Sequence, residues 1–117
     1  ESVVIESCQA FGVTAIRDPS ATGVWIPSPD EPARALAKLC AMGVRVRRWV
    51  SMHGLAINVS TNLRHFDLIV PCGLVGRPVT SLEEILGNHA PSMEEVKAVV
   101  VATLATHVRG RLDREPA

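Results

Sequence analysis

Apolar and polar positions along this chain change their period several times. "ESVVIESCQAFG" places Val3, Val4, Ser7, Cys8 and Phe11 at helical spacing, with Gly12 as the expected stop. "VTAI" predicts a short strand, and "TGVWIP" a turn followed by a strand. "PSPDEPARA", rich in proline and charge, predicts a loop. From Ala35 to Val59 the apolar residues come in short runs, "ALAKLCAM", "VRVRRWV" and "LAINV". They predict three strands, broken at Gly43 and around Ser51, with Leu55, Ile57 and Val59 on one face. "STNLRHFDLI" predicts a short helix. In "SLEEILG" Ser81 caps a helix, Glu84 completes a capping box and Gly87 ends it. "SMEEVKAVVVATLATHVRG" repeats this grammar with Ser92, Glu95 and Gly110. Its stripe of Val96, Val99, Val100, Thr103, Leu104 and His107 is expected in the core, and "RLDREPA" as a frayed tail.

A chain of 117 residues suits one domain with one modest core. Twelve basic and twelve acidic residues cancel, so nothing predicts binding to nucleic acid or an anionic membrane. With 47% hydrophobic but 3% aromatic residues, the core is expected to be aliphatic. The longest apolar stretch, "VKAVVVATLATHV", is too short and polar to span a bilayer. The opening residues resemble a helix in mid-course and do not begin with Met, so the N-terminal part of the domain is expected to be missing. Three cysteines without a C-x-x-C pattern predict free thiols, neither a disulfide framework nor a structural zinc site.

A few residues stand out chemically. On a strand, "RALAKLCAM" puts Leu36, Lys38, Cys40 and Met42 on one face and Ala35, Ala37, Leu39 and Ala41 on the other. Both faces are apolar. Lys38 therefore either points to water from an edge strand, snorkels, or is buried at a cost in hydration. Cys72 sits between Pro71, which fixes φ, and Gly73, which allows close approach to the backbone. Such a stretch can pose a thiol and offer amides to an oxyanion, although most lone cysteines are structural. Cys8 and Cys40, in regular apolar elements, read as structural. His53 is either a general base or orienting residue for Cys72, or a histidine bonded to backbone at a strand entry. His65, His89 and His107 lack metal-ligand spacing, so no metal is expected. Arg45 to Arg48 read as a solvated strand face suited to an acidic protein partner.

The stretch "AKLCAMGVRVRRWVSMHGLAINVSTNLRHFDLIVPCGLVG" resembles the C-terminal half of the lipoyl(octanoyl) transferases, the octanoyl-acyl-carrier-protein:protein N-octanoyltransferases of lipoate biosynthesis. The resemblance runs from about Gly23 to Leu86 and holds "KLCAMGVRV", "HGLAINV" and "PCGLVG" in order. It implies an α/β (α+β) fold of the biotin/lipoate protein ligase type, a mixed sheet flanked by helices. Residues 1–117 would then be the C-terminal part of one catalytic domain, monomeric at full length. It also implies Cys72 as the carrier of an acyl thioester and Lys38 as its catalytic partner. Ala41, Met42, Gly43, Gly54, Leu55 and Ala56 would line the acyl site. The family's "RGG" and "HGPGQ" stretches do not occur in this chain, and Pro27 to Arg34 is a longer link than usual. Trp49, where bacterial members often have glycine, resembles plant or algal members and implies a mitochondrial or plastid enzyme; a bacterial one would be cytoplasmic.

The implied reaction moves octanoyl from acyl carrier protein to a lysine of lipoyl domains of 2-oxoacid dehydrogenases and of the glycine cleavage H protein. It needs no cofactor, because the donor thioester is already activated. Two rival readings remain at this stage: a thioester hydrolase using Cys72 and His53, and an incomplete fragment that acts only as a binding module.

Overall fold

Val4, Ser7 and Cys8 form the buried side of the first helix, α1 (Ser2–Gln9). Gly12 then adopts φ +74, a left-handed geometry that glycine accepts without a Cβ clash, and Val13 N–H reaches back to Cys8 C=O at 3.0 Å. This is a computed structural model, and it describes residues 1–28, 36–69 and 77–114. The proline-rich segment at 29–35, the segment at 70–76 that carries Cys72, and the last three residues lie outside the described residues.

The strand expected at "VTAI" forms slightly later, as β1 (Ile16–Asp18). It turns into β2 (Ala21–Pro27), and the Asp18 carboxylate shapes that turn by accepting from Ser20 N–H and Ser20 Oγ at 2.8 and 2.7 Å. The next region corrects the expectation of three strands. β3 (Leu36–Arg47) runs unbroken through Gly43, and β4 (Val50–Ile57) returns against it. Ser51 is paired within β4, opposite Val46. The break falls at Arg48 and Trp49, at φ +50 and +67. Positive φ at both positions of a two-residue loop is the requirement of a type I′ turn, whose twist matches paired strands.

The sheet order is β1-β2-β3-β4, antiparallel throughout. Among the described residues one parallel bridge, Lys38 with Val79, adds the mixed element. Helices pack on one face. The core there joins Val4 and Cys8 of α1, Val24 of β2, Leu39 and Cys40 of β3, and Val96 of the last helix. Full burial of each aliphatic side chain contributes about 1.5–3 kcal/mol, so a few such residues account for much of a small domain's stability.

The helix signals hold, with corrections to one cap, one end, one buried stripe and one helix type. Ser81 Oγ accepts from Glu84 N–H and caps α2 (Leu82–Leu86), which ends at Gly87. The Glu84 carboxylate takes the Thr80 hydroxyl at 2.8 Å, so the expected capping box is only half made. Ser92 and Glu95 form the complete box of α3 (Met93–Leu112). That helix continues through Gly110, where its stop was expected. Its stripe enters the core at Val96 and Val100 but emerges by Leu104, which is half exposed. Further along, His107 Nε2 meets Glu6 Oε2 of α1 at 2.6 Å. The helix expected in "STNLRHFDLI" is a 3-10 helix, Leu63–Leu68, capped by Asn62.

Trp49 is fully exposed, so it contributes no burial in this chain to offset its positive φ. Trp49→Gly is expected to stabilise the fold by about 1 kcal/mol, roughly a 4 °C rise in melting temperature. Thermal unfolding followed by far-UV circular dichroism measures it. An unchanged or lower melting temperature would show that the indole makes a compensating contact.

Candidate functional site

Strict alternation along β3 puts Lys38 and Cys40 on the same face. The structure separates them. Val24 pairs with Cys40, but Trp25 pairs with Lys38, so Leu39 is the extra residue of a β-bulge. Leu39 and Cys40, adjacent in sequence, are both fully buried in the core. Lys38 passes to the other face, where it meets Trp25. The edge-strand reading of Lys38 is also overturned. β2 lies on one side of it and Val79 on the other, and Lys38 is 6% exposed.

Four contacts define the surroundings of Lys38. Its N–H donates to Pro78 C=O at 2.9 Å, and its C=O accepts from Thr80 N–H at 2.9 Å. Its Nζ lies 5.0 Å from the centroid of the Trp25 ring, within cation–π range. Beside its stem stands Gly23, at φ +137. A Cβ there would come within 2.7 Å of Cys40 C=O and 3.0 Å of Lys38 Cε, so only glycine leaves room for the lysine stem.

The face continues toward the hairpin with small residues. Ala41 pairs with Ala56, and Gly43 with Gly54, all on the Lys38 side. A Cβ at Gly43 or Gly54 would meet nothing within 4 Å among the described residues. The result is a bare floor some 15 Å long, measured at the usual strand rise from Lys38 to Gly43. Met42 and Leu55, paired with each other, point to the core side. Leu55 there borders a cavity of about 250 Å³ with Ile57, Val59 and Val96, the shared face expected for "LAINV". Thus all six expected lining residues sit together as three cross-strand pairs: the two alanines and two glycines lie on the Lys38 face, and Met42 and Leu55 present only backbone to it. Beyond them Arg45 and Arg47 are exposed and border an open groove of about 500 Å³ with Val50 and Met52.

The remaining candidates fall elsewhere. His53 is exposed, pairs with Val44 and shares the side of Leu55, opposite Lys38. Cys8 and Cys40 are buried, and burial pushes both thiols up to about 11, which keeps them protonated and unreactive near neutrality. Cys72 lies outside the described residues. Among the described residues no group of three or more His, Cys, Asp or Glu side chains is placed to hold a metal, and no helix is long and apolar enough to cross a membrane.

Sequence reasoning missed three residues of this face: Trp25, Arg77 and Asp18. Arg77 stacks on the Trp25 ring, 3.9 Å from its centroid, and pairs with the Asp18 carboxylate. Period two along "GVWIP" sets Trp25 opposite Val24 and Ile26, which was a usable signal. Nothing in the sequence links Asp18 to Arg77, 59 positions away.

With this geometry in hand, comparison with known proteins is specific. The family model of the lipoyl protein ligase A/B catalytic domain matches residues 1–105. The chain belongs to that family. Within it, the chain is 50% identical over 97 residues to a protein named octanoyltransferase from Bacteroides fragilis, covering 83% of this chain and 42% of the relative. It is 46% identical over 97 residues to an octanoyltransferase of Christiangramia forsetii, covering 83% and 40%. It is 46% identical over 104 residues to an octanoyltransferase of Acidothermus cellulolyticus, covering 89% and 45%. The chain therefore spans about two-fifths of the length of these curated relatives. As a member of the lipoyl protein ligase A/B family it has the expected α+β fold, with its helices on the core side of the sheet. These relatives are bacterial and give no support to the organelle origin inferred from Trp49. Trp49 is explained locally as the residue of a positive-φ turn position where glycine is the unstrained choice.

Hydrogen bonds from the Ser20 hydroxyl and N–H, then the Arg77 guanidinium, hold the Asp18 carboxyl down at about 2, well below the usual carboxylate value of about 3.9. A lowered folded-state value stabilises the fold above about pH 4, and that contribution is lost as pH falls from about 4 to 2. Asp18→Asn is therefore expected to destabilise the protein at pH 7, with a penalty that shrinks steadily below pH 4. Urea unfolding of both forms across pH 2–7 tests this, and a penalty independent of pH would contradict it.

Proposed function

We propose that the natural polypeptide containing this chain is an octanoyltransferase of protein lipoylation. It would take octanoyl from acyl carrier protein, hold it on Cys72 as a thioester, and pass it to a lysine of a lipoyl domain. The observation that carries this reading is the burial of Lys38 at the head of a floor of alanine and glycine, in a family whose relatives bear that name. A buried ammonium with a bare apolar track beside it suits a proton-handling group next to a bound acyl chain. Two backbone hydrogen bonds tie Lys38 to Pro78 and Thr80, and Pro78 follows Cys72 by six residues, a reach of at most about 22 Å. Burial holds the Cys8 and Cys40 thiols up at about 11, which supports Cys72, the cysteine that the family resemblance implies, as the nucleophile. Arg45 and Arg47 on the same face suit acidic protein partners, with bacterial cytoplasm as the proposed location.

Lys38, as the neutral amine, takes the Cys72 proton, and the thiolate attacks the donor carbonyl. The carbon–sulfur bond to the carrier breaks, and the carrier thiolate receives the proton back from Lys38. In the second half the neutral amine of the acceptor lysine attacks the Cys72 thioester. Lys38 takes the proton lost as the amide forms and returns it to the departing Cys72 thiolate. An acceptor amine has a reference pKa of about 10.4 and is mostly protonated in water, so it gives its first proton to solvent before it attacks, and Lys38 takes only the second.

Exposed apolar positions at Val44, Val46 and Met52 fit the proposal that this chain is part of one larger catalytic domain that packs further chain on the hairpin. His53 faces away from Lys38, so the two do not share a site.

Incubation with octanoyl carrier protein followed by intact-mass measurement is expected to show one octanoyl adduct on the wild type. Cys72→Ser is expected to form none, and Lys38→Ala to slow transfer about 100-fold or more. Turnover without an adduct would point to hydrolysis, and normal transfer by Cys72→Ser would refute the nucleophile.

A further inference from the structure

Lys38 is not the nearest cation to Trp25. The Arg77 guanidinium lies 3.9 Å from the ring centroid, against 5.0 Å for Lys38 Nζ. Two cations on one indole repel each other unless one of them is neutralised. Asp18 supplies that charge. One carboxylate oxygen takes the Arg77 guanidinium, and the other accepts from Ser20 N–H and Ser20 Oγ. The Asp18 side chain is 10% exposed, and Ser20 and Arg77 keep it ionised to about pH 2. Trp25 is fully buried, and its indole N–H donates to Ala21 C=O at 3.1 Å, which fixes the ring. Across the stem stands the Gly23 backbone, with no space for a Cβ.

We infer that Arg77, oriented by Asp18, is a positioning residue that holds the Trp25 ring against Lys38 and so fixes where the Lys38 amine points. The role rests on the proposed acyl-transfer function of Lys38, to which it adds the element that aims it. The contacts form a continuous series from the β1–β2 turn through Asp18, Arg77 and Trp25 to Lys38, and each link is polar or stacked. A planar guanidinium can stack on an indole face while its in-plane N–H groups bond a carboxylate, which an ammonium cannot do. Arg77 is therefore not replaceable by lysine here.

The chain offers an internal control. It contains two lysines, Lys38 and Lys97, and the Lys97 side chain is 62% exposed. In the natural polypeptide, brief amine modification read by peptide mass spectrometry is expected to label Lys97 and spare Lys38. In Arg77→Gln the ratio of Lys38 to Lys97 labelling is expected to rise at least about fivefold, at a melting temperature within a few degrees of wild type. In octanoyl transfer the same variant is expected to lower kcat about tenfold or more and to leave KM for the donor within about twofold, the pattern of lost orientation at an intact binding surface. Arg77→Lys is expected to behave like Arg77→Gln. Asp18→Asn, which leaves the Arg77 side chain in place, is expected to move both readouts in the same direction, and the double variant to be no worse than Arg77→Gln alone. Wild-type labelling and wild-type kcat in Arg77→Gln would overturn the inference. If Arg77→Gln does not fold, the same wild-type pair of results in Asp18→Asn would overturn it. Labelling needs no turnover, so the two proposals fail separately. A wild type that transfers no octanoyl, with the labelling change present, refutes the transferase reading and supports the positioning of the lysine. Wild-type transfer with unchanged labelling and kcat in the variants does the reverse.

Discussion

An ammonium removed from water needs a replacement environment, and in this chain that requirement organises one whole face of the sheet. Lys38 is 6% exposed in the interior of β3. Among the described residues it is met by an indole face and by no carboxylate. An aromatic face attracts a cation while donating no counter-charge, so it shelters the amine without locking it in an ion pair. A carboxylate against Lys38 would hold the proton and oppose its release. The nearest acid, Asp18, is instead committed to Arg77 and Ser20. This separation of charges suits the proton-accepting and proton-returning role proposed for Lys38.

The bulge at Leu39 makes this possible. It sends two consecutive apolar residues, Leu39 and Cys40, into one core and leaves Lys38 on the opposite side. Without it, burial of Cys40 would carry Lys38 toward the helices and into an aliphatic core. The helices then occupy the core side, and the other side of the hairpin holds Ala41, Gly43, Gly54 and Ala56, too small to fill space themselves. Glycine in a strand weakens it and is otherwise hard to explain here, since a methyl group at Gly43 or Gly54 would meet nothing of the described chain. Gly23 is the opposite case: a Cβ there would meet Lys38 and the Cys40 carbonyl, which need the room.

The sequence made local rules legible and long-range ones obscure. The caps at Ser81 and Ser92, the buried side of α1 and the shared face of Leu55, Ile57 and Val59 follow from spacing alone, because each depends on residues within one or two turns or along one strand. Gly43 was misread as a break because glycine usually punctuates a chain, whereas here it pairs with Gly54 across the hairpin. The turn at Arg48 and Trp49 carried no glycine or asparagine to announce it. The face of Lys38 was half legible. Its two-sided apolar strand flagged an awkward lysine, but period two cannot foresee a bulge, and the edge reading failed because Val79 supplies the missing neighbour from far along the chain. Arg77 and Asp18 were invisible for the same reason. The identity of Cys72 as a candidate came from family resemblance, and the residue lies outside the described segments.

The central proposal is that Cys72 and Lys38 act as one unit in acyl transfer. A short thiol-to-amine cross-linker, applied to the natural polypeptide and mapped by peptide mass spectrometry, tests it directly. The account predicts a Cys72–Lys38 link that forms in the folded protein, is lost on unfolding and is blocked by prior incubation with octanoyl carrier protein. Cross-links from Cys72 only to Lys97 or other exposed amines, unaffected by the donor, would contradict it.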